Sequence, residues 1–385
     1  DPISWHSARG SNVRDVDGNV FVDLTAGFGA AMLGHAHPKV VEALADQQAR
    51  LLHALGDVHP SDTKVALLDE LAALAPFPSA RVILGLSGAD AVEAALKTAV
   101  LHTKRPGVVS FLGGYHGLSH GPLAACGYSE GFRAPFSEQL NPHVRFVPFP
   151  IDPAQTELAL AAVEQAFSQV PTGAVLVEPI QGRGGVHVPP LGFLRALSEL
   201  TKKHGALLIA DEIYTGLGRT GPLWLHREQG ADADLICLGK ALGGGAPISA
   251  CIGREEIMRA WGDPGGEAIH TSTFLGNPPA CAAALAVLAE LRGADIGAQA
   301  VERGERLRRA ITERTGLPVR GRGLLLGVEL ADPARVLWLT RAVLEKGFIT
   351  SPGGSPPSVL CLTPPLCITD AQIDAFAEAL AECLS

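Results

Sequence analysis

Lys240 stands between an apolar run and a glycine patch, in the stretch Leu235-Ile236-Cys237-Leu238-Gly239-Lys240-Ala241-Leu242-Gly243-Gly244-Gly245. Upstream, a second apolar run, residues 206–210, ends on Asp211. A lysine with apolar and glycine neighbours is poorly solvated, which lowers its pKa and leaves an amine suited to imine formation. An acid at the end of a neighbouring buried strand can hold a pyridine nitrogen protonated. Together they point to pyridoxal phosphate (PLP) chemistry, with Lys240 carrying the cofactor as a Schiff base and Asp211 at the ring nitrogen. The competing reading, a surface lysine after a strand, sits poorly with its apolar neighbours.

Three further segments offer groups such a cofactor would need. Ser87-Gly88-Ala89-Asp90-Ala91-Val92-Glu93 follows the apolar run 81–85 and opens a helical pattern. Free backbone N–H groups at a helix start make a phosphate cradle; the plainer reading is an N-cap by Ser87. Gly113-Gly114-Tyr115-His116-Gly117 follows the run 107–111. An aromatic ring there can lie flat on a cofactor ring, or be a core tyrosine beside a turn. Thr271-Ser272-Thr273, near Asn277-Pro278, carries hydroxyls that bind phosphate or cap a helix.

Other motif matches carry less. Gly216-Leu217-Gly218-Arg219-Thr220-Gly221 satisfies GxGxxG, but Glu212 to Thr215 separate it from the apolar run and Pro222 follows it, so it does not open a helix as a dinucleotide site requires. Gly239-Lys240 is not a P-loop, because position 234 is Asp and position 241 is Ala. His35-Ala36-His37 lacks further ligands nearby; local hydrogen bonds are the expectation, and no metal site.

These residues need strands to hold them. Apolar runs of strand length recur at 81–85, 107–111, 144–147, 174–178, 206–211, 235–239 and 248–253, and Glu178 also ends one. Between them lie stretches with helical spacing, notably 89–102, 155–169 and 191–204. That alternation implies a mostly parallel sheet with helices on both faces, whose ligands collect at the carboxyl ends of the strands. After Asn277 the pattern becomes helices at 278–291 and 296–314, a strand at 323–330, a helix at 335–346, a short run at 359–362 and a final helix from Ala371. It reads as a smaller α/β domain. Residues 351–358, rich in Gly and Pro, read as a surface loop.

At 385 residues the chain exceeds the usual single core of about 250–300, so two domains are expected. The reading is an N-terminal segment, 1–45, packing with a small domain at 277–385, and a large domain at 46–276. Hydrophobic content is 47% and charged content 18%, as in a globular enzyme with a large core. The net charge of −9 and the lack of a dense basic cluster argue against nucleic acid. Seven cysteines without CxxC spacing imply a reducing, cytoplasmic setting. No uninterrupted apolar stretch is long enough to span a membrane. The chain opens at Asp1 without methionine, so trimming, or excision from a longer protein, is an expectation.

Taken together, Glu178-Pro179-Ile180-Gln181-Gly182, the segment Asp211-Glu212-Ile213-Tyr214-Thr215 continuing to Gly221, Gly239-Lys240-Ala241-Leu242-Gly243 and Ser272-Thr273-Phe274-Leu275-Gly276-Asn277-Pro278 resemble the class III aminotransferases, PLP enzymes of fold type I. The likeness runs from Asp15-Val16-Asp17-Gly18-Asn19 to Thr363-Pro364-Pro365-Leu366. It implies a mostly parallel seven-stranded sheet and a homodimer with active sites at the interface. It also implies roles. Lys240 would bind the cofactor covalently and shuttle the proton, and Asp211 would pair with the pyridinium. Ile213 and Tyr115 would sandwich the ring, with His116 beside it. Gly88 and Ala89, with Ser87, would hold the phosphate, and Thr273 would reach it from the other subunit. Gln181 would lie near the ring hydroxyl, and Glu178 would order that corner.

The departures concern substrate. Relatives that use glutamate carry an arginine where this chain has Cys361, a glutamate where it has Arg183, and often an arginine where it has Leu118. Phe28 stands where some members have a tyrosine. Carboxylate recognition is therefore expected to be rearranged, with Arg183 or Arg133 compensating, or dropped. The segments at 87–95 and 115–121 look most like diaminobutyrate aminotransferases. The implied activity is ping-pong transfer of a primary, terminal amino group from an amine or a diamino or ω-amino acid to an oxo acid. Rival readings are a racemase or aminomutase on the same fold, or an aminotransferase-like domain of a larger synthase.

Overall fold

The computed structural model describes residues 2–262, 268–330 and 332–385. Seven strands form the central sheet in the spatial order Ala80–Gly85, Ser249–Arg254, Leu235–Leu238, Leu207–Asp211, Thr172–Val177, Gly107–Phe111, Val144–Val147. Ser249–Arg254 runs antiparallel to both its neighbours; the rest share one direction. The four strands Gly107–Phe111, Thr172–Val177, Leu207–Asp211 and Leu235–Leu238 are buried along their whole length. Helices cover both faces, so these strands read as unbroken apolar runs rather than as alternating ones.

The two faces still alternate in what they touch. Leu208, Ala210, Ile236 and Leu238 pack with Phe193, Leu194 and Leu197 of the helix Phe193–His204. Leu207, Ile209, Leu235 and Cys237 pack with Ala91, Val92 and Ala95 of the helix Gly88–Thr103. The period-two rule therefore turns Asp211, two residues beyond Ile209, toward the side of the helix that starts at Gly88.

Two smaller sheets flank this unit. Val319–Arg322, Leu325–Glu329, Val359–Leu362 and Ser351–Gly353 form one, antiparallel throughout. The other joins Trp5–Arg9, Asn12–Asp15 and Val20–Asp23 to Phe348–Ile349, with Phe348 opposite Val22. Leu24 and Phe348 share a core with Leu307, Leu339 and Phe376. Residues 351–358 are the surface turn their composition implies only at 354–357, where Ser355 and Pro356 are exposed. Ser351–Gly353 is an edge strand, and Gly353 and Gly354 are buried. Pro352 is compatible with that position because an edge strand leaves one side without ladder partners.

Between the first sheet and the helix Pro38–Arg50, the chain makes a left-handed turn. Ala26, Gly27, Phe28 and Gly29 have φ of 47°, 57°, 59° and 85°. For a residue with a side chain this costs about 1–2 kcal/mol. Asp23, fully buried, offsets that strain by accepting from Thr25 N at 2.7 Å, Thr25 Oγ1 at 2.6 Å and Gly27 N at 3.1 Å, while pairing with His35 Nε2 at 2.8 Å. His35 thus makes the local bond expected of it.

Candidate active site

Asp211 ends its strand opposite Cys237, so Lys240 leaves the adjacent strand end just beyond it. Lys240 has φ of 42°, a left-handed value that fixes the direction of its side chain. Asp211 is buried. Its Oδ2 lies 2.7 Å from His116 Nδ1, and its Oδ1 accepts from Ile213 N at 3.1 Å. Burial foremost depresses the Lys240 ammonium to about 8, against the opposing pull of the Asp211 and Glu178 carboxylates. At neutral pH an accessible share of Nζ is therefore unprotonated and nucleophilic.

The sequence around these two residues brings four segments together by omitting side chains. A Cβ at Gly88 would lie 2.9 Å from Ile213 Cδ1, and one at Gly239 would lie 3.3 Å from Ile213 Cγ2. A Cβ at Gly117 would lie 2.7 Å from Ala89 Cβ. The loop carrying Tyr115 and His116 is thus drawn against the start of the helix Gly88–Thr103. Ser87 caps that helix. Its Oγ accepts from Asp90 N at 3.3 Å, while Asp90 Oδ2 accepts from Ser87 N at 3.0 Å. The backbone N–H groups of Gly88 and Ala89 have no acceptor among the described residues.

Glu178 bridges two loops, accepting from Tyr115 N at 2.8 Å through Oε1 and from Gly182 N at 3.0 Å through Oε2. Burial foremost raises it to about 7, reinforced by Asp211 and opposed by His116. Gln181 Nε2 donates to Leu112 O at 2.8 Å, which leaves its Oε1 beside Gly113. Arg183 places its guanidinium carbon 4.4 Å from the Tyr115 ring centroid, 5.0 Å from that of Tyr128 and 5.8 Å from that of Phe132. The box is closed by Gly354, whose N donates to Arg183 O at 2.8 Å and whose O accepts from Tyr128 Oη at 2.9 Å. Arg183 makes no ion pair among the described residues. Arg133, the other arginine considered for carboxylate binding, is committed elsewhere. It donates to Cys126 O and lies over the Phe146 ring at 4.3 Å.

Phe28 is 70% exposed on the left-handed turn, and a Cβ at its neighbour Gly29 would be 3.6 Å from Lys240 Cδ, so this turn borders the lysine. Thr273 is not gathered in with the others. It is exposed, and its loop is tied to residues 52–57, through Asn277 Nδ2 donating to Leu52 O at 3.2 Å and the His53 and Phe274 rings 5.4 Å apart. Sequence reasoning gave no role to Tyr214, whose ring centroid lies 3.5 Å from Lys240 Nζ. A signal was present: the chain has three tyrosines, and all of them, Tyr115, Tyr128 and Tyr214, stand here.

These groups suit PLP. A buried carboxylate answers a pyridinium, two open N–H groups at the start of a long helix answer a phosphate, and an amine of lowered pKa answers an aldehyde. The fold and this donor set define a PLP-dependent enzyme of the α/β type.

Comparison with known proteins narrows the class. The aminotransferase class-III family model matches residues 2–384, and the chain belongs to that family of transaminases. It is 38% identical to the acetylornithine aminotransferase of Methanopyrus kandleri over 385 residues, covering all of this chain and 94% of that one. It is 40% identical to the acetylornithine aminotransferase of Mycolicibacterium smegmatis, covering 98% and 93% of the two chains. The diaminobutyrate–2-oxoglutarate aminotransferase of Haemophilus influenzae is 38% identical over 86% of this chain and 76% of its own. Among solved structures, the ornithine aminotransferase of Toxoplasma gondii superposes with a TM-score of 0.87 at 31% identity, covering 99% and 89% of the two chains. A PLP-bound amine transaminase from an uncultivated Pseudomonas species gives 0.89 at 28% identity, covering 99% and 94%.

Proposed function

We propose that this transaminase takes the terminal amino group of a small diamino or ω-amino acid bearing a carboxylate and passes it to an oxo acid in two half reactions. PLP, when bound, supplies an electron sink for the carbon that loses a proton. Lys240 holds the cofactor covalently and carries that proton on Nζ. Asp211, oriented by His116, keeps the ring nitrogen protonated. Ile213 and Tyr115 bracket the ring, Gly88 and Ala89 donate to the phosphate beside Ser87, and Gln181 serves the ring hydroxyl. Glu178 holds the two loops in register. The observation that carries this reading is the convergence of Lys240 Nζ, the Asp211 carboxylate and the two open N–H groups at one end of the sheet.

The substrate reading rests on Arg183. A guanidinium stacked on rings and free of carboxylate partners has its in-plane donors open, which suits bidentate capture of a carboxylate. Phe28 would form the opposite wall. The names of the relatives, acetylornithine and diaminobutyrate aminotransferases, agree with a substrate that carries a distant carboxylate.

We further propose a cytoplasmic homodimer in which Thr273 of a second copy completes the phosphate site. Leu52, Leu55, Val58, Ile269 and Phe274 are each more than half exposed, and the two segments that carry them pack together through the bonds described. An apolar patch of that kind marks an interface. All seven cysteines are unpaired, as a reducing compartment leaves them. The domain division proposed is 46–276 against 277–385 joined by 1–45.

The deciding experiment is a half-reaction screen. Purified protein loaded with PLP is mixed with diamino acids, ω-amino acids, α-amino acids and simple amines, and loss of the yellow colour is followed. Bleaching by diamino or ω-amino acids, with the colour restored by added oxo acid in stoichiometric amount, supports the proposal. Bleaching by simple amines alone would overturn the carboxylate requirement.

A further inference from the structure

We propose that the face of the Tyr214 ring is a docking platform for the Lys240 ammonium whenever Nζ is not bonded to the cofactor. The proposal rests on the reading of Lys240 as the cofactor-bearing residue. It makes Tyr214 a positioning residue, acting through Lys240.

The ring is built to stay in place. A Cβ at Gly182 would lie 2.4 Å from Tyr214 Cδ1, and one at Gly29 would lie 2.7 Å from Cε2. Two glycines from separate loops therefore grip opposite edges of the ring and leave a face toward the lysine. The hydroxyl is committed as well. Thr363 Oγ1 donates to Thr25 O at 2.9 Å, so Tyr214 Oη, 3.2 Å away, must donate to Thr363 Oγ1. Burial pushes the phenol well above its ordinary pKa, so it stays neutral and is no base.

Lys240 Nζ needs such a partner. It makes no hydrogen bond among the described residues, and its centroid distance of 3.5 Å lies well within cation–π range. The other groups that act on it are Asp211 and Glu178, which favour the ammonium, the Cys361 thiol, which acts in the same direction, and buried Arg219, which opposes it. Burial lowers the lysine; the ring restrains that fall. In physical terms the platform keeps the released amine at one spot and keeps a proton on it, so the proton returns along one path.

Two measurements on protein free of cofactor test this. Competitive acetylation with peptide mapping gives the Lys240 titration midpoint. Tyr214→Leu should lower it by about half a unit to one unit, about 3- to 10-fold in the proton affinity, because burial persists and the ring does not. Tyr214→Phe, which keeps the face, should leave it where it is. An unchanged midpoint in the leucine variant, or an equal fall in both, overturns the proposal. The second measurement needs no tyrosine variant. In wild-type protein with carbon-labelled tyrosine, the Tyr214 ring signal should titrate with a midpoint near 8, and be flat in Lys240→Met. A Tyr214 signal insensitive to pH in the wild type would sink the platform even if a borohydride-fixed cofactor maps to Lys240. A label elsewhere would instead sink the underlying reading.

Discussion

Asp211 Oδ2 and His116 Nδ1 stand 2.7 Å apart, both in buried side chains. A carboxylate out of water requires donors, and the imidazole together with Ile213 N satisfies one oxygen each. The pair fixes the acid in rotation, so the acid stays aimed at the strand end where Lys240 emerges.

Asp211→Asn should leave PLP bound and slow both half reactions by about 10²–10⁴-fold, in line with the usual size of a positioned acid or of preorganised charge. His116→Ala removes one charge-assisted bond worth about 1.5–3 kcal/mol and should cost about 10–100-fold. Single-turnover absorbance with each substrate checks both, and a histidine variant as slow as the aspartate variant would contradict the ranking.

Arg183→Ala should raise KM for ω-amino and diamino acids by at least about 10–100-fold, the cost of one of its two charged hydrogen bonds, with kcat little changed. Simple amines should be handled as before. Steady-state kinetics on a matched pair, one amine with and one without a carboxylate, decides it; parallel losses on both would count against the arginine as a carboxylate receptor.

Protons give a third set of expectations. Condensation of Lys240 with the aldehyde needs the neutral amine, so the rate at which added PLP develops yellow colour should rise with pH around a midpoint near 8. A midpoint near the ordinary lysine value of 10.5 would refute the depression. Stability of the cofactor-free chain follows from the same shifts. Between about 4.5 and 7 the folded state holds a proton on Glu178 that the unfolded state has lost, so stability falls as pH rises. Between about 8 and 10.5 the unfolded state holds the extra proton, on Lys240, so stability rises with pH. Denaturant midpoints for wild type, Glu178→Gln and Lys240→Met should show each limb vanish in its own variant.

The open N–H of Ala89 can be deleted alone. Proline is tolerated in a first helical turn, as Pro278-Pro279 shows at another helix of this chain. Ala89→Pro should fold and bind PLP about 10–100-fold more weakly, the loss of one charged hydrogen bond. Fluorescence titration of the cofactor-free protein reads this, and unchanged affinity would place the phosphate elsewhere.

Much of this was legible in the residues. Buried strands are short unbroken apolar runs, and the parallel Gly107–Phe111 and the antiparallel Val359–Leu362 fall where those runs do. Asp211 and Lys240 stand out because charge at the end of such a run has few structural uses. What stayed hidden depends on distant chain meeting. Nothing in one segment says that Tyr115, Tyr128 and Phe132 will surround Arg183, or that Tyr214 will face Lys240. Gly and Pro signal a turn in isolation, which holds for 354–357 and fails for Ser351–Gly353. An edge strand accepts both, and its partner Val359–Leu362 decides the matter.

The left-handed turn at Ala26–Gly29 has a practical consequence. Its shape is dictated by the Asp23 carboxylate and by main-chain donors, whereas the Phe28 side chain projects outward without a share in any core. Position 28 is thus an interchangeable fitting on a rigid mount. Residues at ease in that backbone region, such as asparagine or glycine, could be installed there to re-tailor the pocket rim, with the scaffold left undisturbed.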